Sequence, residues 1–415
     1  MNNISYFCIV KRFTSIYRPL LLAFSLLFIA VPRGWADEMD SVRISFLTCS
    51  PHEEIYSLYG HTALRYENPA RGIDVAVNYG IFNFHKPHFV LRFVFGLTDY
   101  EMGITPFPLF CEEYRAYGSK VTQQVINLNA DQKRRIVAAL EENYLPQNRV
   151  YRYNYFYDNC TTRARDIVFS HLEDPRHQII GKSYTQERTF RQMIHSCNEH
   201  HPWARFGNDI LLGLQADRPT TNAEQEFLPA NLMADLDEML ISDNKSYEAP
   251  MVIDKFTVVE PGVQTVESDF PLRPRTCAIL LLALSALVFV LERIGRTLYW
   301  GFDLALMLLS GLAGIVLFLM LFSQHPTVRL NLQLLALNPL PLLFAYIVAK
   351  ATRAHRPRHW WWPLWALLLV LFLAGSALQS YAEGMILVGL ALLLRPLSHF
   401  VKREPLSRLP QGEKP

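Results

Sequence analysis

The chain has 415 residues, enough for two or three domains. Lys and Arg number 40 against 38 Asp and Glu, and the net charge of +2 gives no sign of a nucleic-acid partner. Half of the residues are hydrophobic, but the excess sits at the two ends and residues 37–245 have an ordinary soluble composition, so a wholly soluble chain is excluded.

Lys11, Arg12 and Arg18 precede the apolar run "PLLLAFSLLFIAV" at 19–31, and Gly34 and Ala36 stand at −3 and −1 of a cleavage site. This is the layout of a secretory signal peptide over 1–36. The run is short for a membrane anchor, so cleavage is favoured over an uncleaved anchor. No cysteine follows the site, which argues against a lipid-anchored N-terminus.

Residues 37–245 form the exported domain. "VRISFLTC" (42–49), "YSLYGHTALRY" (56–66) and "IDVAVNYGIFNF" (73–84) read as strands, with "ENPARG" (67–72) as a turn. A turn centred on Pro69–Ala70 sets His61 opposite Asn78. Residues 130–143 show a helical period with Ile136, Val137 and Leu140 on one face. "RVYRYNYFY" (149–157), a strand or loop, leads to a helix that Asp158 or Asn159 caps and that starts at Cys160, with Ala164, Ile167, Val168 and Leu172 as its buried stripe. Residues 188–245 read as mainly helical, with Trp203, Phe206, Ile210 and Leu211 in the core. Residues 246–275 hold four prolines and read as a linker.

Apolar spans follow at about 276–292, 299–322, 334–349, 360–378 and 384–397, within a membrane domain over 276–400 and ahead of a tail at 401–415. Basic residues collect after the first, third and fifth spans: Arg293 and Arg296; Lys350, Arg353, Arg356 and Arg358; Arg395, Lys402 and Arg403. Those ends face the cytoplasm by the positive-inside rule, which puts 37–275 outside, as the signal peptide independently requires. Trp360, Trp361 and Trp362 fall at the cytoplasmic interface.

Chemistry concentrates at Cys160. A helix N-terminus favours negative charge and lowers the pKa of a thiol placed there. His61, on a strand, is the partner base, and Asn78 orients its ring, as the third member of a triad does. The helix start supplies N–H donors for an oxyanion. Each piece has a plainer reading: His61 as a structural strand histidine, Asp158 as only a cap, Cys160 as half of a disulfide with Cys49, Cys111 or Cys197. Cys49 itself reads as structural or site-lining. His85, His88, His195, His200 and His201 read as surface or loop residues. "CNEHH" (197–201) lacks a second ligand pair, so no metal and no cofactor is expected. A strand His, a polar residue on the next strand and then a Cys helix form a papain-like set in permuted order.

"FLTCSPHEEIYSLYGHTALRY", "VNYGIFNF", "YNYFYDNCTTRARD", "PWARFGNDILLG" and "FLPANL", in this order over 43–232, resemble the periplasmic domain of the Lnb family of lipoprotein N-acyltransferases. His52 departs from the glycine expected after "SP". The resemblance implies an α+β, permuted papain-like (NlpC/P60-like) domain followed by about five spans in the bacterial inner membrane. It implies acyl transfer from a membrane phospholipid, through a Cys160 thioester, to the α-amino group of a lipoprotein's diacylglyceryl-cysteine, with His61 as base. Tyr59, Tyr79 and Asp158, beside these residues, are the expected substrate contacts. "HPTVRLNLQLLALNPL" (325–340) also resembles a family segment, at the outer membrane surface, where His325 and Asn331 face lipid headgroups or simply connect helices. The rival readings are a cell-wall peptide hydrolase with the same Cys–His chemistry, a disulfide-bonded envelope scaffold, and a phospholipase in which water replaces the amine.

Overall fold

Strands buried on both faces build the sheet that carries the candidate site. The structure, a computed structural model, describes residues 35–400 apart from 53, 83–86, 173–176, 182–186, 244–246, 264–269, 355 and 357–358. The expected signal segment lies outside the described residues except at Trp35 and Ala36, and the expected tail and His85 lie outside them entirely.

The strands are β1 (Arg43–Cys49), β2 (His61–Asn68), β3 (Ile73–Ile81), β4 (Asp99–Pro106), β5 (Val121–Ile126), β6 (Val150–Arg152), β7 (His177–Ile180), β8 (Leu240–Asp243), β9 (Tyr247–Pro250) and β10 (Val252–Val259). Seven of them form a sheet in the order β10-β5-β1-β2-β3-β4-β6, with every neighbouring pair antiparallel. β7, β8 and β9 form a second, three-stranded sheet. The stretch expected as a linker over 246–275 therefore supplies β9 and the edge strand β10. Pro250 ends the short β9, paired with Leu240, and the other prolines lie outside both strands.

The helices of the N-terminal part are α1 (Trp35–Ser41), α2 (Phe89–Val94), α3 (Phe107–Ala116), α4 (Ala130–Tyr144), α5 (Cys160–Phe169), α6 (Phe190–Cys197), α7 (Pro202–Leu211), α8 (Asn222–Gln225) and α9 (Pro229–Glu238). Side chains alternate across a strand, so each strand feeds two cores. Ile44, Phe46, Leu64, Val75 and Val77 face Ile136, Val137 and Leu140 of α4, Ala164 and Val168 of α5, and Leu232 and Leu236 of α9. Leu47, Cys49, Ala63 and Ala76 point the other way, to Phe107, Phe110 and Cys111 of α3. The result is an α+β sandwich with the sheet in the middle.

The C-terminal part holds α10 (Pro274–Gly295), α11 (Trp300–Met320), α12 (Leu340–Arg353), α13 (Trp361–Gly375) and α14 (Met385–Phe400). Three apolar helical stretches are long enough to cross a membrane: Pro274–Gly295, Trp300–Met320 and Leu332–Arg353. The fourth and fifth expected spans are the shorter apolar helices α13 and α14, of 15 and 16 residues. Trp361 and Trp362 are buried in the bundle rather than set at its surface, Trp362 stacked on His399 at 3.7 Å; Trp360 is exposed. One end of the bundle is tied by charge: Arg395 meets Glu292 at 2.7 Å and Asp303 at 2.6 Å, and His399 meets Asp303 at 3.0 Å.

The other end carries the sandwich. Phe206 and Ile210 of α7, expected in a soluble core, pack instead on the cluster formed by the apolar helices, and Leu211 packs both on that cluster and on the one around Phe190 and Phe227. Helical period marks a buried face without saying what buries it. The 325–340 segment forms the plate beneath: the Asn331 side-chain amide donates to Ile210 O at 2.8 Å, Gln333 to Asp209 O at 2.8 Å, and the Gly213 N–H to Thr327 O at 2.8 Å. Asn331 is thus a buried strut, not a headgroup contact. Gly213 is required here, because a Cβ would stand 2.5 Å from Leu330 O.

Candidate active site

The N-terminus of α5 is fixed by its cap. Asn159 Oδ1 accepts from the N–H groups of Thr161 and Thr162, each at 2.9 Å, and Thr162 Oγ1 accepts from Asn159 N at 2.8 Å. The Asn159 amide donates to Tyr155 O and Phe227 O, each at 2.9 Å, so the cap itself is anchored. Asp158 does not cap. It pairs with Arg163 at 2.6 Å, and Arg163 lies over the Tyr151 ring at 3.6 Å.

Two of the helix-start N–H groups are therefore spent on the cap. Among the described residues no acceptor takes the Cys160 N–H, which leaves it open to an acceptor at this helix start.

His61 opens β2 after Gly60, whose φ of +75° and close approach to Cys49 O, 2.7 Å from a notional Cβ, exclude other residues. Asn78 lies opposite Ala63, not His61. The turn spans Pro69–Arg71 and Gly72 at φ +65°, so the register is two residues from that of a turn centred on Pro69–Ala70. Two residues keep the face. Asn78 is then the diagonal neighbour of His61, and its Oδ1 lies 3.1 Å from His61 Nε2. With Nε2–H given to Asn78, Nδ1 is left for the hydrogen bond that His61 makes to Cys160.

The strand and the helix are stitched together beside this contact. Thr62 Oγ1 donates to Thr161 Oγ1 at 3.2 Å, and the Thr62 N–H donates to the Cys160 sulfur. Thr161 Oγ1 lies 3.8 Å from that sulfur. A β-bulge between Asn78 and Ile81 places Gly80 at φ +88°, where a Cβ would come 3.6 Å from Cys160 Cβ and 3.6 Å from the Tyr153 ring. Thr62, Thr161, Gly80 and Tyr153 were not singled out by the sequence, although the glycine inside a strand pattern is a bulge signal.

Burial raises the Cys160 thiol, but the charge and hydrogen bond of His61, the Thr62 N–H and the Thr161 hydroxyl outweigh it and bring the pKa down to about 7. Burial lowers His61, but Cys160, Asn78 and Glu113 raise it overall. The pair therefore favours thiolate and imidazolium at neutral pH. Every other thiol of the sandwich moves the opposite way, because burial pushes up Cys49, Cys111 and Cys197. Cys49 sits directly opposite His61 on β1 and bonds to Tyr114, lining the site without being activated. Cys49, Cys111, Cys160, Cys197 and Cys277 are all free.

The expected substrate contacts divide. Tyr59 packs edge-on against Tyr155 at 5.1 Å and accepts from the Asn208 amide, linking the site to α7. Tyr79 points away from Asn78 across β3, is fully buried, and donates to Asn143 Oδ1 at 2.8 Å, so it belongs to the core. Asp158 is held by Arg163, as described above. His195 is a partly exposed helix residue with fixed partners rather than a free surface or loop residue: its Nε2 meets Asp209 Oδ1 at 2.8 Å, and Arg205 reaches its Nδ1 at 2.7 Å. Among the described residues no group of three His, Cys, Asp or Glu side chains is placed to hold a metal.

Residues 35–192 match the Lnb N-terminal periplasmic domain, and residues 265–404 match the Lnb transmembrane domain. No curated protein and no solved structure matches the chain. The two matches span most of the sequence in the order the motifs suggest, and the chain belongs to the Lnb family, as a membrane protein with a periplasmic N-terminal domain.

Proposed function

We propose that the protein is a lipoprotein N-acyltransferase in which Cys160 carries the acyl group and His61 moves the protons. The observation that carries this reading is the Cys160–His61–Asn78 set, with its lowered thiol, on a domain seated on an Lnb-type membrane bundle. The order of its parts, strand His, next-strand Asn and then Cys helix, supports a permuted papain-like arrangement. α13 and α14 complete a five-span bundle in the bacterial inner membrane. With α12, their 14, 15 and 16 residues rise about 21–24 Å, short of a ~30 Å core, so all three rely on packing against the longer α10 and α11. Arg293, Lys350 and Arg395 collect toward the end remote from the sandwich, which supports a periplasmic sandwich.

The thiolate attacks an ester carbonyl of a membrane phospholipid, and the oxyanion forms beside the Cys160 N–H. As the intermediate collapses, the His61 imidazolium gives its proton to the departing lysophospholipid alkoxide, leaving a thioester. The lipoprotein α-amine then attacks the thioester, neutral His61 takes the amine proton, and the thiolate leaves as the amide forms. Both substrates are held in the bilayer by their chains, which suits an active site seated on spans.

In cells that depend on this protein, mass spectrometry of lipoprotein N-termini should find N-acylated diacylglyceryl-cysteine with the wild-type chain and free amines with Cys160→Ala. Retained N-acylation in the variant, or released wall peptides in place of it, would reject the assignment.

A further inference from the structure

From Asn78, β3 runs through Gly80 to the exposed Ile81, and the chain then reaches α2. On that helix Val90 is 72% exposed, Leu91 50% and Phe93 46%. Side chains of this kind left in water forgo burial free energy of about 25 cal/mol per Å². Their setting is not bulk water. Phe95 O accepts from Gln324 N at 2.9 Å, and Gly96 lies so close that a Cβ would come within 3.1 Å of Ser323, Gln324 and His325. Val94 shares a buried cluster with Met320 and Val328. α2 therefore rests on the outer end of α11, where Phe318 and Phe322 are also exposed. On its polar side Arg92 pairs with Asp99 at 2.6 Å, Asp99 with Arg152 at 2.7 Å, and Arg152 with Gln324 Oε1 at 2.9 Å. Apolar side chains continuous with a lipid-facing helix, backed by arginines, are the composition of an interfacial helix.

We propose that α2 is inserted in the outer leaflet of the membrane and that, with Ile81, it forms the rim over which a glycerophospholipid ester passes from the leaflet to Cys160. The occupant is the lipid surface. Insertion depends only on the membrane domain, whereas the rim's role in delivery rests on the proposed function.

The test places p-benzoylphenylalanine at Leu91, at Phe322 on the lipid-facing rim, or at Ile253 on the exposed edge strand β10, in the full chain in phosphatidylethanolamine–phosphatidylglycerol vesicles. After illumination, lipid adducts at Leu91 should match those at Phe322 and exceed those at Ile253 about tenfold. Adducts at Leu91 no more frequent than at Ile253, with Phe322 labelled, would overturn insertion. For delivery, Leu91→Asp should reduce acyl loading of Cys160 from vesicle lipid about tenfold. Loading from water-soluble p-nitrophenyl acetate should stay unchanged, and the milder Leu91→Ser should fall between the two chains. Unchanged loading from vesicles in Leu91→Asp would remove the rim's role and leave the transferase standing. No lipid loading in the unmodified chain would overturn the proposed function and the delivery role together, and the crosslinking would still decide insertion.

Discussion

Replacing His61 with alanine is expected to slow iodoacetamide alkylation of Cys160 at pH 7 about 50-fold and acyl transfer about 10³-fold or more. Only the thiolate is alkylated. A thiol with a pKa of about 7 is half ionised at pH 7, while one returned toward the ordinary 9.0 is about one per cent ionised. Burial acts to raise this thiol, so the lowering depends on the groups that oppose burial, of which His61 is the largest. In the native chain the alkylation rate climbs with pH through an inflection near 7 and is lost below it as the sulfur is protonated. In His61→Ala that inflection moves upward, because the surviving donors, Thr62 N–H and the Thr161 hydroxyl, still face the cost of burial. Transfer falls further than alkylation, since the same ring protonates the leaving alkoxide and deprotonates the amine. An inflection that stayed near 7 would mean the helix start, not the imidazole, ionises the sulfur.

Arg191→Met should destabilise the full chain in detergent by about 3–5 kcal/mol, read as a shift of the urea midpoint at unchanged slope. The Arg191 guanidinium is buried and reaches Asp209 Oδ1 at 2.9 Å and Asp217 Oδ1 at 2.7 Å, with the carbonyls of Leu212 and Gly213 at 3.2 and 3.3 Å. It thereby holds the 209–217 segment in the shape that receives the membrane plate, since Gln333 bonds to Asp209 O and Gln379 to Leu212 O. Methionine fills the volume, leaves Asp217 without its counter-charge and leaves Asp209 with only the His195 ring, in a largely dry site. A loss below about 1 kcal/mol would show that water and the His195 ring already on Asp209 suffice without the guanidinium and that the seat is looser than its hydrogen bonds imply.

The local signals in the sequence were strong where one stretch decided the outcome. The alternation in 42–49 and 73–81 and the Asn-Cys helix start needed no distant partner, and β1, β3 and α5 form there. The His61–Asn78 pairing was legible as a face but not as a register, because a four-residue turn and a two-residue one read alike in "ENPARG". Features that depend on tertiary partners were hidden. The period of α7 marked Phe206 and Ile210 as buried, but the membrane bundle that buries them lies more than 60 residues on. Tyr79 beside Asn78 looked like a site residue, and strand alternation turns it into the core. Thr62 and Tyr153 gain their place near Cys160 only through the crossing of β2, β3 and α5, which no spacing announces.

Incubating the full chain with phospholipid vesicles, quenching it before an acceptor is added and locating the acyl group by peptide mass spectrometry reads the central step most directly. A hydroxylamine-labile acyl group on Cys160, missing from His61→Ala, is the result required of a thiolate made by its histidine. A chain that stays unacylated at that sulfur, or carries the acyl group on Cys49, Cys111 or Cys197 instead, would contradict it.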